Sequence, residues 1–418
     1  MTHHPLTAQK NIEAAVSAIQ KYGSSGAQHL SCVIHKHYDL LNVLEQKGVH
    51  ESIYWSNRDQ SQVTAAWGMA HLIMSHDAKT CIEAAQNYTL LNDVRLYGCI
   101  GFDTELPDEH LFWLPEWELR LVDECLTLYW NRPSESIPLP SFSFQKSKVP
   151  QLPTKETWIS NITELKPEFE NGNLSKVVFA QQICLPRPNS LKPLGALRQL
   201  RSENDNTFHF CVSPKKDYAF IGCSPERLLC IRDGVLQTEA LAGTRPRGEN
   251  KIEDQSLEDE LRVSEKENKE HQIVVDDICD SIGHYALNLM PNTHSEIIKF
   301  HHVQHLYTPI TGTLYQPFSI ADILLSLHPT PAVGGVPQRL AMSLIRKAET
   351  FRRGWYAGPV GWIEKNSAEF AVGIRSALLT QDYISFWAGA GILSQSDPEE
   401  EWNETQTKGK QFLDLVAK

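Results

Sequence analysis

Two side chains of the sequence occupy settings in which burial could prepare them for proton transfer. Glu226 follows Pro225 in the segment SPERL, where partial desolvation would favour a protonated carboxyl able to act as a general acid. Lys176 opens the apolar segment KVVFAQQ, where burial would lower the pKa of its ammonium towards that of a general base. Each residue also fits an ordinary alternative, an exposed acid in a turn or a lysine at a strand end whose ammonium reaches water. The residue types therefore allow acid–base chemistry without requiring it.

Two groups of side chains have the spacing of one helix face. Glu267, Glu270 and His271 lie three and four residues apart. Glu401 and Glu404 lie one turn apart near the start of the last predicted helix. Clusters of oxygen ligands suit Mg²⁺, which takes one or two carboxylates and keeps waters for its substrate. Either group alone equally fits a solvated acidic face. From the pattern alone we predict a magnesium-dependent enzyme and leave its substrate open.

Histidines and glycines give weaker signals. His301 and His305 have the helical spacing of a zinc site, but their β-branched and aromatic neighbours favour a strand and no H-E-x-x-H motif is present. Gly389-Ala390-Gly391 and the pair Gly354 and Gly358 lack a complete nucleotide-binding motif. These glycines fit better as positions where backbone amides approach an anionic ligand closely.

The elements that must position these residues are strands separated by turns and long helices. Asp233-Gly234 is a strong hairpin signal, and Ser264-x-x-Glu267 could cap a helix that is interrupted there. Antiparallel turn signals with long helices between them favour an α+β fold over a doubly wound sheet. The predicted elements are a helix over about 158–169 strained by Pro167, strands Lys176–Gln182, Phe208–Val212 and Tyr218–Gly222, a hairpin of Leu228–Ile231 with Val235–Ala240, a helix over about 256–288, strands Gly354–Trp362, Glu369–Leu379 and Tyr383–Gly389, and a helix from about Pro398.

The charge composition argues against one class of protein, and the distribution of prolines suggests how the chain is divided. The chain has 418 residues with 39 basic and 51 acidic side chains, a formal net charge of −12, which argues against a nucleic-acid-binding protein with its clustered basic face. Five prolines between positions 133 and 153 indicate an extended connector. We therefore divide the chain into residues 1–150, which are poor in motifs, and residues 151–418, which carry the candidate chemistry.

Targeting signals are not apparent in the sequence. The first residues lack the apolar core of a signal peptide, and no apolar run reaches the roughly 18 residues of a membrane span. Nine cysteines occur without a C-x-x-C pair, as expected for reduced core residues. We expect a soluble cytoplasmic protein without a membrane partner.

Five motifs follow one another between residues 155 and 418. They are Ser224-Pro225-Glu226-Arg227-Leu228, Ala240-Leu241-Ala242-Gly243-Thr244-Arg245, Ser264-Glu265-Lys266 with Glu270-His271, His328-Pro329-Thr330-Pro331-Ala332, and Gly389-Ala390-Gly391-Ile392 followed by Glu401-Trp402-x-Glu404-Thr405. In sequence and in order these motifs resemble those of the chorismate-utilising enzymes. On Tyr54-Trp55, Ala65-Ala66-Trp67-Gly68 and Asp397-Pro398-Glu399, the sequence is most similar within that family to isochorismate synthases of the menaquinone type.

This resemblance implies a fold and a reaction. The fold would be a large α/β sandwich of two antiparallel sheets, with helices outside and a deep central cleft. The proline-rich stretch would then be a crossing connector within it. The substrate would be chorismate, the cofactor Mg²⁺, and the reaction the addition of water at ring carbon C2 with loss of the C4 hydroxyl. The product would feed menaquinone biosynthesis.

The resemblance also implies roles for single residues. Lys176 would activate the water, and Glu226 would be the general acid that protonates the leaving hydroxyl. Glu270 and Glu404 would bind Mg²⁺, with Glu267 and Glu401 acting through water. The remaining positions would contact the substrate: Tyr356, Arg375 and Gly389 at the pyruvyl carboxylate, Lys408 at the ring carboxylate, and Thr244, His305 and Thr330 in the pocket wall.

Other members of the family remain as alternatives. Anthranilate synthase large subunits typically carry Gln where this chain has Lys176, and aminodeoxychorismate synthase places a nucleophilic Lys at Ala242, so water is favoured over ammonia. Thr244-Arg245-Pro246 nevertheless is similar to anthranilate synthase. Salicylate synthase shares the lysine, the glutamate and the metal site, and no single residue separates it. A non-catalytic ligand-binding relative is disfavoured because every expected catalytic position is filled. We expect no glutamine amidotransferase subunit, and a monomer or homodimer.

Overall fold

The computed structural model describes residues 16, 29–34, 39–48, 50–106, 110–134, 151–291, 295–301 and 303–417. The helices within these ranges are α1 (Leu40–Lys47), α2 (Ala78–Asn92), α3 (Lys155–Thr163), α4 (Lys166–Glu170), α5 (Pro193–Glu203), α6 (Lys251–Val263), α7 (Glu265–Ile282), α8 (Ile320–Leu327), α9 (Gln338–Ala348) and α10 (Pro398–Ala417). The strands are β1 (His29–Ile34), β2 (Ser52–Ser56), β3 (Gln62–Trp67), β4 (His71–Ser75), β5 (Arg95–Cys99), β6 (His110–Leu114), β7 (Trp117–Val122), β8 (Cys125–Asn131), β9 (Gln151–Leu152), β10 (Lys176–Pro186), β11 (Phe208–Lys215), β12 (Tyr218–Ser224), β13 (Arg227–Arg232), β14 (Val235–Pro246), β15 (Ala286–Pro291), β16 (Glu296–Lys299), β17 (Val303–Leu314), β18 (Gly335–Val336), β19 (Pro359–Glu364), β20 (Ser367–Val372), β21 (Ser376–Thr380) and β22 (Tyr383–Ile392).

The described strands form two antiparallel sheets. The first has the order β1-β8-β7-β3-β2-β11-β12-β21-β22-β10-β18, with β9 beside β10. The second has the order β15-β17-β14-β13-β20-β19-β5-β6-β4, with β16 beside β17. Strands from before residue 135 pair with later ones in both sheets, as β2 does with β11 and β5 with β19. The α+β expectation and the two-sheet sandwich are confirmed.

Both faces of the first sheet are buried at strands β2 and β3 and along most of β10, and this explains why these strands show no regular alternation of apolar and polar residues. On β2, Trp55 belongs to the large core that also contains residues of the second sheet, whereas Tyr54 packs in a separate core with helices α1, α5 and α10. A polar contact also joins the sheets, since the Thr64 and Tyr97 hydroxyls lie 3.1 Å apart. Helices α2, α7 and α8 pack against the second sheet. The result is a layered frame around the space between the sheets.

Local chemistry explains the turns that were predicted. The hairpin of β13 and β14 is confirmed, with positive φ angles of 52° and 76° at Asp233 and Gly234. The strand from Lys176 is also confirmed but extends to Pro186. The helix around Trp158 is divided into α3 and α4, with Pro167 in the first turn of α4, where its missing N–H costs nothing.

Three predicted boundaries were wrong. The helix over 256–288 is two helices that meet at Ser264, whose side chain accepts from the Glu267 amide, and the second ends at Ile282. The predicted strand Gly354–Trp362 begins only at Pro359, after a turn. The predicted strand Glu369–Leu379 is β20 and β21, which belong to different sheets.

Two further expectations can be compared only with the residues that the structure describes. Positions 135–150 of the proline-rich connector lie outside them, as do residues 1–15 and 17–28. Among the helices that are described, none is long and apolar enough to span a membrane.

Candidate functional site

One cavity brings together the residues singled out from the sequence. Ten of the eleven predicted site residues line it, and the eleventh, Thr330, reaches one of them by hydrogen bond. Glu267 and Glu401 line it as well. The ten are Lys176, Glu226, Thr244, Glu270, His305, Tyr356, Arg375, Gly389, Glu404 and Lys408.

The cavity forms where the chain passes twice from one sheet to the other. Residues 224–227, named here the acid turn, lead from β12 in the first sheet to β13 in the second. Residues 373–375 lead back from β20 to β21. The two crossings are hydrogen-bonded side by side: the Val372 amide donates to the Glu226 carbonyl at 3.0 Å, and the Cys223 amide donates to the Arg375 carbonyl at 3.0 Å. Glu226 and Arg375 are therefore fixed relative to each other by backbone contacts.

Glu226 is a buried carboxyl at the cavity wall. Only 4% of the residue is exposed, and Thr330 Oγ1 donates to its Oε1 at 3.3 Å. Burial, and then the charge of Glu239, raises the pKa of Glu226 to about 8, although Lys176 and Arg58 oppose this shift. At neutral pH the carboxyl is mainly protonated, as a general acid must be.

Lys176 is the first residue of β10 and is almost fully buried, at 2% exposure. Its Nζ donates to Glu270 Oε1 at 2.7 Å. The side chain crosses Gly391 on the neighbouring strand, where a Cβ atom would come within 2.9 Å of Lys176 Cε. Glycine at this position therefore makes room for the lysine, a role that its sequence context did not indicate.

Four carboxylates, here called the carboxylate cluster, line the side of the cavity formed by α7 and α10. They are Glu267, Glu270, Glu401 and Glu404. Each one has a basic partner: Glu270 pairs with Lys176, Glu267 with Arg245 at 2.7 Å, Glu404 with Lys408, and Glu401 lies 3.9 Å from Lys266.

The pKa values within the cluster reflect burial and close charges. Burial, followed by the charge of Glu404, raises the pKa of Glu401 to about 7, although Ser396 and Lys266 act against this. Burial also acts to raise the pKa of Glu404, but Lys408 and Arg375 hold it below its usual value. The carboxylates thus need cationic partners to stay ionised together.

The oxygen atoms of the carboxylate cluster are suitable ligands for a magnesium ion. Carboxylate oxygens are the ligands that Mg²⁺ prefers, and mutual repulsion in a partly buried site favours binding of a cation. Within the described ranges, no three His, Cys, Asp or Glu side chains are already arranged around a common point that could hold a metal. The basic partners hold the carboxylates instead.

Arg375 contributes a cation without a fixed partner. Its backbone has a φ of 50°, in the left-handed region, where the chain leaves one sheet for the other. No hydrogen bond or ion pair of its side chain is found among the described residues, although the charges of Glu404 and Tyr356 act on it. A guanidinium that faces a cavity in this way can bind a carboxylate bidentately.

Tyr356 and Gly389 lie on the same wall. The Tyr356 ring stacks on Trp387 with centroids 5.5 Å apart, and burial raises the pKa of its hydroxyl to about 12. A Cβ atom at position 389 would lie 3.2 Å from the Tyr356 hydroxyl. Lys408 Nζ donates to the Gly389 carbonyl at 2.9 Å, so this lysine links α10 to β22.

The histidines do not form a zinc site. His305 lies in strand β17 opposite Thr244, whose hydroxyl is 3.0 Å from His305 Nδ1, and burial together with Arg375 lowers its pKa to about 3. His301 is an exposed residue before that strand, so the helical spacing has no structural meaning here. His271, grouped with the carboxylates by its spacing, instead turns away to Thr308 at 2.7 Å and does not line the cavity.

Some functional contacts were missed by the sequence analysis. Arg353 is buried in the cavity wall, where it donates to the carbonyls of Val178 and Val333. Arg58 and Glu239 meet directly behind the acid turn. Arginine and glutamate are common surface residues, so nothing in the local sequence marks either one.

Comparisons with known proteins find relatives over most of the chain. Residues 126–417 match the model of a family described as chorismate binding enzymes. Over 407 residues the chain is 30% identical to the isochorismate synthase MenF of Escherichia coli (strain K12), with 91% of each chain covered. It is 37% identical over 268 residues to isochorismate synthase 2, chloroplastic, of Arabidopsis thaliana, which covers 64% of this chain and 48% of the plant protein. The chain thus spans about half the length of that relative.

A solved structure also matches. It is that of MenF, the menaquinone-specific isochorismate synthase from Escherichia coli, with a TM-score of 0.83 and 28% sequence identity. The match covers 93% of this chain and 94% of the other. The two-sheet frame and the path of the chain around the cavity are therefore shared along almost the whole length.

Proposed function

The chain belongs to the family of chorismate-binding enzymes, and from this premise we propose that it is an isochorismate synthase. The proposed reaction adds water at C2 of chorismate while the C4 hydroxyl leaves, without a change in oxidation state. The observation that carries the proposal is a buried lysine amine, Lys176, and a buried, protonated carboxyl, Glu226, on the walls of one cavity. Similarity to a menaquinone-specific enzyme supports a place for the product in menaquinone biosynthesis.

The base acts at ring carbon C2, and the acid acts on the hydroxyl at C4. Lys176 takes a proton from the water as its oxygen bonds to C2, and Glu226 gives a proton to the C4 hydroxyl as its bond to the ring breaks. The lysine must be uncharged to accept that proton. It donates to Glu270 in the structure, so Glu270 must interact with another cation during turnover.

Magnesium is the cation that we propose for that place. Glu270 and Glu404 would hold it directly, with Glu267 and Glu401 reaching it through water. When bound, Mg²⁺ would neutralise the cluster and stabilise the charge of the substrate's ring carboxylate. Lys408 would then be free to contact that same carboxylate.

The second carboxylate of the substrate needs its own partner. Arg375 is suited to hold the pyruvyl carboxylate, since its guanidinium has no other described partner and faces the cavity. Tyr356 and the backbone at Gly389 lie on the same wall. Thr244, His305 and Thr330 would shape the remaining surface. A net acidic protein would thus bind a dianion through a few local cations.

Product identification tests the proposal. Purified protein is incubated with chorismate and Mg²⁺, with and without ammonium, and the products are separated by chromatography and identified by mass. Isochorismate alone, abolished by a chelator, is the expected result. Salicylate with stoichiometric pyruvate would move the protein to the salicylate synthases, and anthranilate that appears only with ammonium would overturn the role of Lys176. If no product is detected, the protein would instead be a non-catalytic, ligand-binding relative.

A further inference from the structure

The acid turn is held from behind by residues that have no place in the proposed chemistry. Arg58 lies in the loop after β2, 167 positions before the proline of the turn, and its side chain is 11% exposed. Its Nη2 donates to the Pro225 carbonyl at 2.5 Å and also pairs with the carboxylate of Glu239. Glu239 on β14 is 2% exposed, and its Oε1 accepts the Arg227 amide at 2.8 Å.

Four backbone groups at and beside Glu226 have hydrogen-bond partners: the Pro225 carbonyl, the amide and carbonyl of Glu226, and the Arg227 amide. The Glu226 amide donates to Ser224 Oγ at 3.2 Å, and its carbonyl accepts the Val372 amide. Arg58 and Glu239 hold the residues on either side of it. A general acid has to be held in position to within a fraction of an ångström for efficient proton transfer. The contacts that fix it come from the loop after β2 and from strands β14 and β20.

We infer that Arg58 and Glu239 are positioning residues for Glu226, and that the N-terminal part of the chain thereby holds the acid in place for catalysis. The inference rests on the proposed function of Glu226. Glu239 is close enough for its charge to act on the Glu226 carboxyl, and the other charged groups that face that carboxyl are Lys176 and Arg58. Glu239 Oε2 has no hydrogen-bond partner within the described residues, so its charge is only partly compensated.

Substitutions of Arg58 and of Glu239 should shift the pKa of Glu226 in opposite directions. Glu226 must be protonated, so activity falls as the pH rises through its pKa. Glu239→Gln removes a negative charge and should move this basic limb of the kcat profile down by about 0.5–1 pH unit. Arg58→Gln removes a positive charge and should move the limb up by about the same amount. Arg58→Gln also removes the guanidinium that donates to the Pro225 carbonyl, so it should lower kcat about 10- to 100-fold, with little change in KM.

Two further variants separate positioning from general loss of structure. Arg58→Lys restores the positive charge and should return the limb towards its original pH with partial recovery of kcat. Arg187→Gln is the matched control, because the Arg187 side chain is also largely buried, at 6% exposure against 11% for Arg58, donates to the Thr380 carbonyl and pairs with Asp217 away from the cavity. Melting temperatures and circular dichroism report whether each variant is folded.

The experiment measures isochorismate formation across pH for the wild type and these four variants. Opposite shifts for Glu239→Gln and Arg58→Gln, with no shift for Arg187→Gln, are expected. An unmoved limb in both variants, or equal losses of kcat in Arg58→Gln and Arg187→Gln, would overturn the inference. Failure of the wild type to make isochorismate would instead overturn the proposed function, so the two failures are distinguishable.

Discussion

The acid turn and the carboxylate cluster both place glutamates at the same cavity, but they hold them differently. Glu226 lies between two strands, in a turn where its own backbone amide and carbonyl are hydrogen-bonded, and its carboxyl is mainly protonated at pH 7 because burial raises its pKa to about 8. The cluster lies on helices α7 and α10, and its carboxylates form ion pairs with basic side chains from other parts of the chain or from the same helix. The backbone contacts of the fold fix the position of Glu226, whereas the carboxylates of the cluster can exchange one cation for another.

This difference indicates a division of labour. A group that must donate a proton benefits from a rigid, dry site in which its charged form is disfavoured. A group that must bind and release a metal and a substrate benefits from ion pairs that can be replaced. Lys176 connects the two regions, since it pairs with Glu270 and its charge acts on Glu226.

The largest effect is expected from Lys176→Ala, which removes this connection. As a general base, the residue should contribute about 10²- to 10⁴-fold to kcat, and chorismate binding should remain largely intact. Steady-state kinetics and equilibrium binding of chorismate test this. Lys365→Ala, in the exposed turn between β19 and β20, is the control that should leave both unchanged. Wild-type turnover in Lys176→Ala would remove the residue as the base.

Glu270→Gln tests whether the cluster, rather than the acid turn, depends on the cation. The variant keeps the shape of the side chain but loses a charged oxygen ligand, so Mg²⁺ affinity should fall about 10- to 100-fold, with activity falling in parallel. Calorimetric titration with Mg²⁺ in the presence of chorismate measures the affinity directly. Glu226→Gln serves as the comparison, since it should lose activity while binding Mg²⁺ normally. Unchanged metal affinity in Glu270→Gln would refute the assigned ligand.

The pH profile tests the state of the acid turn. Because the pKa of Glu226 is raised to about 8, the wild type should lose kcat about tenfold per pH unit above that value. The profile is measured between about pH 4 and about pH 10 at saturating Mg²⁺ and chorismate. A kcat that begins to fall near pH 5 would mean that the carboxyl is ionised at neutral pH and cannot be the acid.

A smaller effect concerns stability. The folded protein holds the proton on Glu226 up to about pH 8, whereas the unfolded chain releases it near the ordinary glutamate pKa of 4.5. The native state therefore binds more protons in this window, and the residue's contribution to stability is lost as the pH rises. Glu226→Gln lacks this loss, so its melting temperature relative to wild type should increase by roughly 2 °C between pH 5 and pH 8. A difference that stays constant with pH would contradict the raised pKa.

Most residues that line the cavity could be predicted because they stand in motifs that resemble those of a known family. Glu226 and the carboxylates stand in motifs whose spacing also sets their helix or turn, and Asp233-Gly234 specifies its hairpin through backbone conformation alone. The division of the long helix at Ser264 was foreseen only as an option, because capping is a local preference that packing can override.

The remainder depends on contacts that no local pattern reveals. Arg58 reaches Glu239 across 181 positions, and only the antiparallel arrangement of the sheets brings them together. The crossing at residues 373–375 was read as continuous strand, because its left-handed residue is Arg375 and not the glycine that usually marks such a bend. Gly391 likewise makes room for a side chain from a neighbouring strand that lies far away in sequence.

The most direct measurement follows the oxygen that the reaction adds. Wild-type protein, chorismate and Mg²⁺ are incubated in water enriched in ¹⁸O, and early product is isolated and its mass determined. Water addition at C2 with loss of the C4 hydroxyl predicts isochorismate that carries one ¹⁸O atom, without release of pyruvate. Isochorismate without the label would mean that the hydroxyl migrates within the substrate, and the roles proposed for Lys176 and Glu226 would be wrong.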